Sequence, residues 1–207
     1  MNTGYISWPK LLLQQLPTAA IPFRFDSWSE YEAHVSDMLH TRVIDDSSEI
    51  RWDVRPVNCV GPVEMRICDG MSSLEDISAI TVLTQCLVHD MSMSLEAGYK
   101  IPVMTVWHRV ENKWRAARYG LDAIIIHNAQ GDEMLVTDHL RNEVKRLAPV
   151  VEQLGRQEEL QGIIRLIERG VGYQIQRQIF ATTGGDFQAV VKDNVARMNM
   201  CKRTKRV

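Results

Sequence analysis

Ile50-Arg-Trp-Asp-Val-Arg-Pro56, followed after a short turn by Val63-Glu-Met-Arg-Ile-Cys-Asp69, decides how this chain is read. Successive side chains of an extended strand point to opposite faces. Ile50, Trp52 and Val54 therefore share one face, and Arg51, Asp53 and Arg55 share the other. In the second segment Val63, Met65 and Ile67 go one way, and Glu64 and Arg66 the other. Two neighbouring strands of this kind present an apolar back and a front of three arginines and two carboxylates. Arginine offers a planar fork of donors that matches carboxylate or phosphate oxygens. A carboxylate beside it stays ionised and is a hard oxygen ligand for a cation such as Mg²⁺. Phosphoryl transfer uses that combination. The same alternation also describes the wet face of an antiparallel sheet, and both readings stand at this level.

Outward from these strands the pattern turns helical. Ser27-Trp-Ser-Glu30 reads as a capping box opening a helix to about Leu39, with Trp28, Tyr31, Val35, Met38 and Leu39 toward the core. A short helix is expected at 9–15. The strands are expected at about 49–55 and 62–68. Ser72-Ser-Leu-Glu75 reads as a second capping box, followed by a helix through Ile77, Ile80, Leu83, Leu87, Val88, Met91 and Leu95. Gly98 and Pro102 mark its end. Residues 103–118 read as partly helical, and Asn128-Ala-Gln-Gly131 as a hairpin turn between 123–127 and 134–136. Helices are expected at 138–153, broken at Pro149, then at 156–181 and 186–198. Strands first and helices later predict an α+β fold, with an antiparallel sheet and helices on one side of it.

Composition narrows the function. The chain has 207 residues, 45% hydrophobic and 24% charged, with a net charge of −2. That balance supplies no global field for nucleic acid or for a membrane surface, so neither is expected as a partner. No apolar run approaches the ~20 residues of a membrane span, and no signal peptide is read at the N-terminus. Cys59, Cys68, Cys86 and Cys201 lack C-x-x-C spacing, and a reducing cytoplasm is the expected setting. The six histidines form no H-x-x-x-H or H-x-H pair. Residues 199–207 read as a disordered basic tail, and 1–207 as a single domain. A second charged cluster is Asn112-Lys-Trp-Arg-Ala-Ala-Arg-Tyr-Gly120. On a helix, Arg115 and Arg118 share a face, able to reach a phosphate or simply to close the helix with cations.

Trp52-Asp-Val-Arg-Pro56 and Gly61-Pro-Val-Glu-Met-Arg-Ile-Cys-Asp69 resemble the paired W-D-x-R-P and G-x-x-E-x-R-x-x-D motifs of the carboxylate–amine ligases of the second glutamate–cysteine ligase family. Asn2-Thr-Gly-Tyr-Ile-Ser7, Gln14-Gln-Leu-Pro-Thr-Ala19 and Ser27-Trp-Ser-Glu-Tyr31 are similar to further stretches of that family, and Asn112 to Gly120 to its N-x-W-x-A-x-R-Y-G. Glu168-Arg-Gly170 and Gln176-Arg-Gln178 stand where its final helices lie. The likeness runs over essentially the whole chain and corresponds to the C-terminal half of a family member. It leaves out the family's acidic opening strand and its H-V-H-V-G strand. Asn2 stands where the family usually has Asp.

The resemblance implies a glutamine-synthetase-like fold and an ATP- and Mg²⁺-dependent joining of glutamate, or a similar carboxylate, to cysteine or another amine through a γ-glutamyl phosphate. It implies Arg55 and Arg66 as catalytic residues, with Arg55, Asn112 and Arg118 toward nucleotide or substrate and Glu64 as a metal ligand. A homo-oligomer or a complementing N-terminal half is the expected macromolecular partner. The alternative is a truncated, inactive paralogue that oligomerises or binds.

Overall fold

A computed structural model of the chain describes residues 4–57 and 61–200, the side chain of Lys10 excepted. Cys59, Cys201, Asn2 and most of the basic tail lie outside the described residues; Asn199 and Met200 close the last helix. The fold is α+β, mostly helical with two small antiparallel sheets. The chain divides into two compact units, Met1–Asp69 with Arg109–Arg118, and Gly70–His108 with Tyr119–Val207.

The first unit holds α1 (Trp8–Leu13), α2 (Trp28–His40), β1 (Val54–Pro56) and β2 (Val63–Met65), together with Arg109–Arg118 of α4 (Val106–Tyr119). Ser27 caps α2 as its sequence predicts, accepting from the Glu30 N–H at 3.2 Å. Glu30 returns to the N–H of Asp26 at 2.9 Å, one residue earlier than an ideal box. Tyr31 and Val35 face the core, where Ile44, Ile50 and Trp52 meet them. Trp28 and Leu39, expected there, are exposed. They flank the 31/35 stripe instead of extending it, since only one narrow face of α2 is covered.

β1 and β2 are shorter than the alternation suggests, but their register is the one it requires: Arg55 lies opposite Glu64. Hydrogen bonds from Val57 N to Pro62 O (2.9 Å) and Arg66 N to Asp53 O (2.7 Å) continue the pairing at both ends. Upstream of β1 the chain pairs elsewhere. Arg51 N donates to Thr18 O at 3.2 Å and Asp53 N to Ala20 O at 2.9 Å. Segment 50–53 is thus held between Thr18–Ala20 and β2, so Ile50 and Trp52 are buried while Val54, Val63 and Ile67 remain exposed. The apolar back is covered at its first two positions only.

The second unit holds α3 (Leu74–Glu96), a hairpin of β3 (Ile124–Ile126) and β4 (Glu133–Leu135), then α5 (Val136–Arg146), α6 (Ala148–Leu154), α7 (Gln157–Arg169), α8 (Gly172–Thr182) and α9 (Phe187–Met200). The hairpin turn is built as read: Asn128 Oδ1 accepts from the N–H of Gln130 and of Asp132, and Gly131 has φ +92°. Pro149 sits in the first turn of α6, where its missing N–H costs nothing, and this is the predicted break.

Two expectations are corrected. The 156–181 helix is two helices, because Gly170 (φ +89°) ends α7 and Val171 is extended. The cap of α3 is Ser73, which accepts from the Asp76 N–H, one position later than the box at Ser72. Asp76, itself buried, accepts from Arg169 Nη2 at 2.5 Å. The buried face of α3 is accordingly Ala79, Val82 and Cys86, with Ile80, Leu83 and Leu87 beside it. Ile77, Val88, Met91 and Leu95 are exposed. Ala79 meets Gly162 so closely that a Cβ on Gly162 would lie 2.7 Å from the alanine's own. This contact seats α3 against α7, over a core completed by Val144, Leu147, Val151, Leu160, Ile163 and Leu166.

Candidate functional site

The front of the β1–β2 ribbon is where the predicted residues meet. Glu64 lies between two guanidinium groups: Arg55 Nε donates to its Oε2 at 2.8 Å and Arg66 Nη1 to its Oε1 at 2.9 Å. Register explains both contacts, since Arg55 is directly across the ladder and Arg66 is two residues along the same face. Arg55 is also anchored behind. Its Nη1 donates to the carbonyl oxygens of Ser48 (2.7 Å), Ile50 (2.8 Å) and Ser47 (3.3 Å), closing the 3₁₀ turn Ser47–Glu49. Its side chain is 12% exposed, against 38% for Glu64 and 35% for Arg66. Hydrogen bonding from Arg55, with the nearby charge of both arginines, holds the Glu64 carboxyl below the usual carboxylate range despite some desolvation.

Arg66 also borders a cleft of about 50 Å³ on the same unit. Arg51, Asp53 and Lys113 complete its charged lining, Gln14 adds an amide, and Leu13 and Ala19 form an apolar wall. Lys113 reaches Asp53 with its Nζ 2.6 Å from Oδ2, and both side chains are largely buried, at 11% and 14% exposure. No residue spacing foretells this pair, which joins positions 60 apart in the chain. Lys113 is the member of the 112–120 motif that reaches the cleft. Asn112 and Arg118, the two members expected to bind, are not among its lining residues. The Arg118 guanidinium lies over the ring of Tyr5, 5.3 Å from its centroid, and Arg115 pairs with Glu111 within α4.

The surroundings of Glu64 fit an anion better than a metal ion. Each of its oxygens already accepts from an arginine, and a divalent cation placed there would meet two positive charges. Among the described residues no group of three or more His, Cys, Asp or Glu side chains is placed to hold a metal. No described helix is long and apolar enough to cross a membrane.

The segment Trp52–Pro56 and the segment Glu64–Arg66 thus meet across one ribbon of an α+β fold, and comparison with known proteins places the chain in a family. The family model of glutamate–cysteine ligase family 2 matches residues 1–197, and the chain belongs to that family. Among its relatives, a protein of Paenarthrobacter aurescens is 56% identical over 197 residues, covering 95% of this chain and 51% of that protein. One of Arthrobacter sp. is also 56% identical over 197 residues, covering 95% and 51%. One of Mycobacterium avium is 46% identical over 200 residues, covering 97% and 53%. Their names read "Putative glutamate--cysteine ligase 2", the first two with a numbered suffix. The chain spans about half the length of these relatives.

Proposed function

We propose that this chain supplies the arginine-bearing portion of an ATP-dependent carboxylate–amine ligase that joins the γ-carboxylate of glutamate to the amine of cysteine or a similar acceptor. The convergence of Arg55, Glu64 and Arg66 carries the reading. The family and the names of its members support the reaction type. In that reaction a carboxylate oxygen attacks the γ-phosphorus of ATP and ADP departs. The amine then attacks the acyl carbon of the γ-glutamyl phosphate, and phosphate leaves as the amide forms. Arg66 is placed to hold the substrate carboxylate or the transferred phosphoryl group. Arg55 and Glu64 fix its guanidinium in position, so that charge neutralisation and orientation carry the rate. The Mg²⁺ that ATP chemistry requires would need oxygen ligands other than Glu64, whose two oxygens already accept from Arg55 and Arg66.

The test is ADP release with ATP, Mg²⁺, glutamate and cysteine, from the chain alone and after mixing with the N-terminal half of the Paenarthrobacter relative. Glutamate-dependent ADP release that Arg66→Ala abolishes is the expected result. No ADP in either mixture overturns the ligase reading. A second reading, a self-associating protein without turnover, is favoured by one observation: Phe187, Val191, Val195 and Met198 leave an apolar stripe of α9 in solvent.

A further inference from the structure

The Asp53–Lys113 pair has a setting unlike a simple bridge between elements. It lies in the wall of the cleft that Arg51 and Arg66 also line, so three cations and one carboxylate border that space. Lys113 is the cation whose pull on an anion is least screened, being largely buried beside Asp53; Arg51 adds an exposed charge, and Arg66 a partly exposed one that also pairs with Glu64. The cleft has room for a small headgroup. Gln14 adds an amide able to donate to an oxygen.

We propose that this cleft is a binding subsite for a small oxyanion, a carboxylate or a phosphoryl group, with Lys113 as a specificity-determining cation and Asp53 as its internal competitor. Asp53 occupies the Lys113 ammonium when the cleft is empty and keeps it aimed inward. An arriving oxyanion takes up part of that ammonium's hydrogen bonding and meets Arg51 on the way in. Asp53 thereby sets the affinity: a singly charged counter-ion fixed beside the ligand repels it and weakens its binding. Lys113 lies on α4 and not on the ribbon, so changing it would alter the anion's site without breaking the Arg55–Glu64–Arg66 contacts. The inference deepens the ligase reading by assigning a place to an anionic group, yet it requires neither ATP nor turnover.

The experiment is equilibrium binding to the full chain without nucleotide or Mg²⁺. Inorganic phosphate and acetate are titrated separately and followed by calorimetry and by the NMR signals of the ¹⁵N-labelled lysine ammonium groups. Saturable binding of either anion is expected, with perturbation of the Lys113 signal. Phosphate alone would mark a phosphoryl subsite and acetate alone a carboxylate subsite. Lys113→Met, which keeps the stem and removes the charge, should weaken binding about tenfold. Asp53→Asn should strengthen it. A purely structural pair predicts the same direction for both variants, lower stability without tighter anion binding. If Lys113→Met fails to fold, Arg51→Gln, which alters an exposed side chain, should weaken binding several-fold. No saturable binding of either anion, or Asp53→Asn binding no tighter than the parent chain, overturns the proposal. ADP release would be untouched by that result, so failure here and failure of the ligase reading are separable.

Discussion

Arg55 ties Glu64 to the turn behind the ribbon. Its Nε meets Glu64 and its Nη1 meets three carbonyl oxygens of the 47–50 turn, with little of the group left in water. Removing it strands those carbonyls and one arm of Glu64 together. Arg55→Ala should cost about 2–3 kcal/mol in urea denaturation. Arg55→Lys should recover only part, because an ammonium cannot fork between a carboxylate and a turn. Glu64 gives the matching pH dependence. Its folded carboxyl lies below the ordinary value, Arg55 being the main cause, so its contribution is complete above the ordinary carboxylate range. It is lost as pH falls through the lowered folded value. Glu64→Gln should flatten the acid limb of stability below about pH 4.5 and leave the slope near pH 7 unchanged; an unaltered limb would show that other carboxylates set it. The alternation of 50–56 made the convergence legible in advance, since register is a local consequence of pleat. Lys113 was not legible, because a partner 60 residues away is fixed by packing and no pattern around Asn112 marks it.

At the level of elements, a cap and a breaker are readable because they act within a turn of where they stand: Ser27 and Pro149 do what their chemistry predicts. What failed was the division at Gly170, where Ile163, Ile164, Ile167, Val171, Ile175 and Ile179 continue a helical stripe straight across the break. Periodicity cannot register a glycine that turns the backbone while the apolar spacing persists. The buried face of α3 is hidden from spacing for a related reason. The apolar spacing runs through large residues, yet the closest contact with α7 is made by two small ones, Ala79 and Gly162. Gly162→Ala should therefore lower stability by about 1–3 kcal/mol through overpacking in the core of the second unit. Ala79→Gly in the same molecule should return part of the loss, beyond what the two single changes predict by addition. Additive single effects in that cycle would show that the helices separate freely and that the contact is loose.

The whole chain carries its charges almost in balance, at −2, so its associations should be governed by apolar surface more than by field. Phe187, Val191, Val195 and Met198 follow one another at helical spacing along α9 and are 52–69% exposed. Isolated exposed hydrophobics are ordinary; a continuous stripe along one helix is not. The self-association reading rests on it, and a ligase could associate through it as well. If the stripe drives self-association, the chain should sediment above its 23.7 kDa monomer mass in a concentration-dependent way. Val191→Glu with Val195→Glu should then restore the monomer and cut binding of an apolar dye such as anilinonaphthalene sulfonate, leaving helix content unchanged in far-ultraviolet dichroism. Burying a carboxylate in such a contact costs several kcal/mol against nearly nothing on a free surface, so the pair of changes separates the two cases cleanly. A parent chain that stays monomeric through the micromolar range and takes up no dye would dispose of the self-association reading, leaving the Arg55–Glu64–Arg66 ribbon as the feature a function must explain.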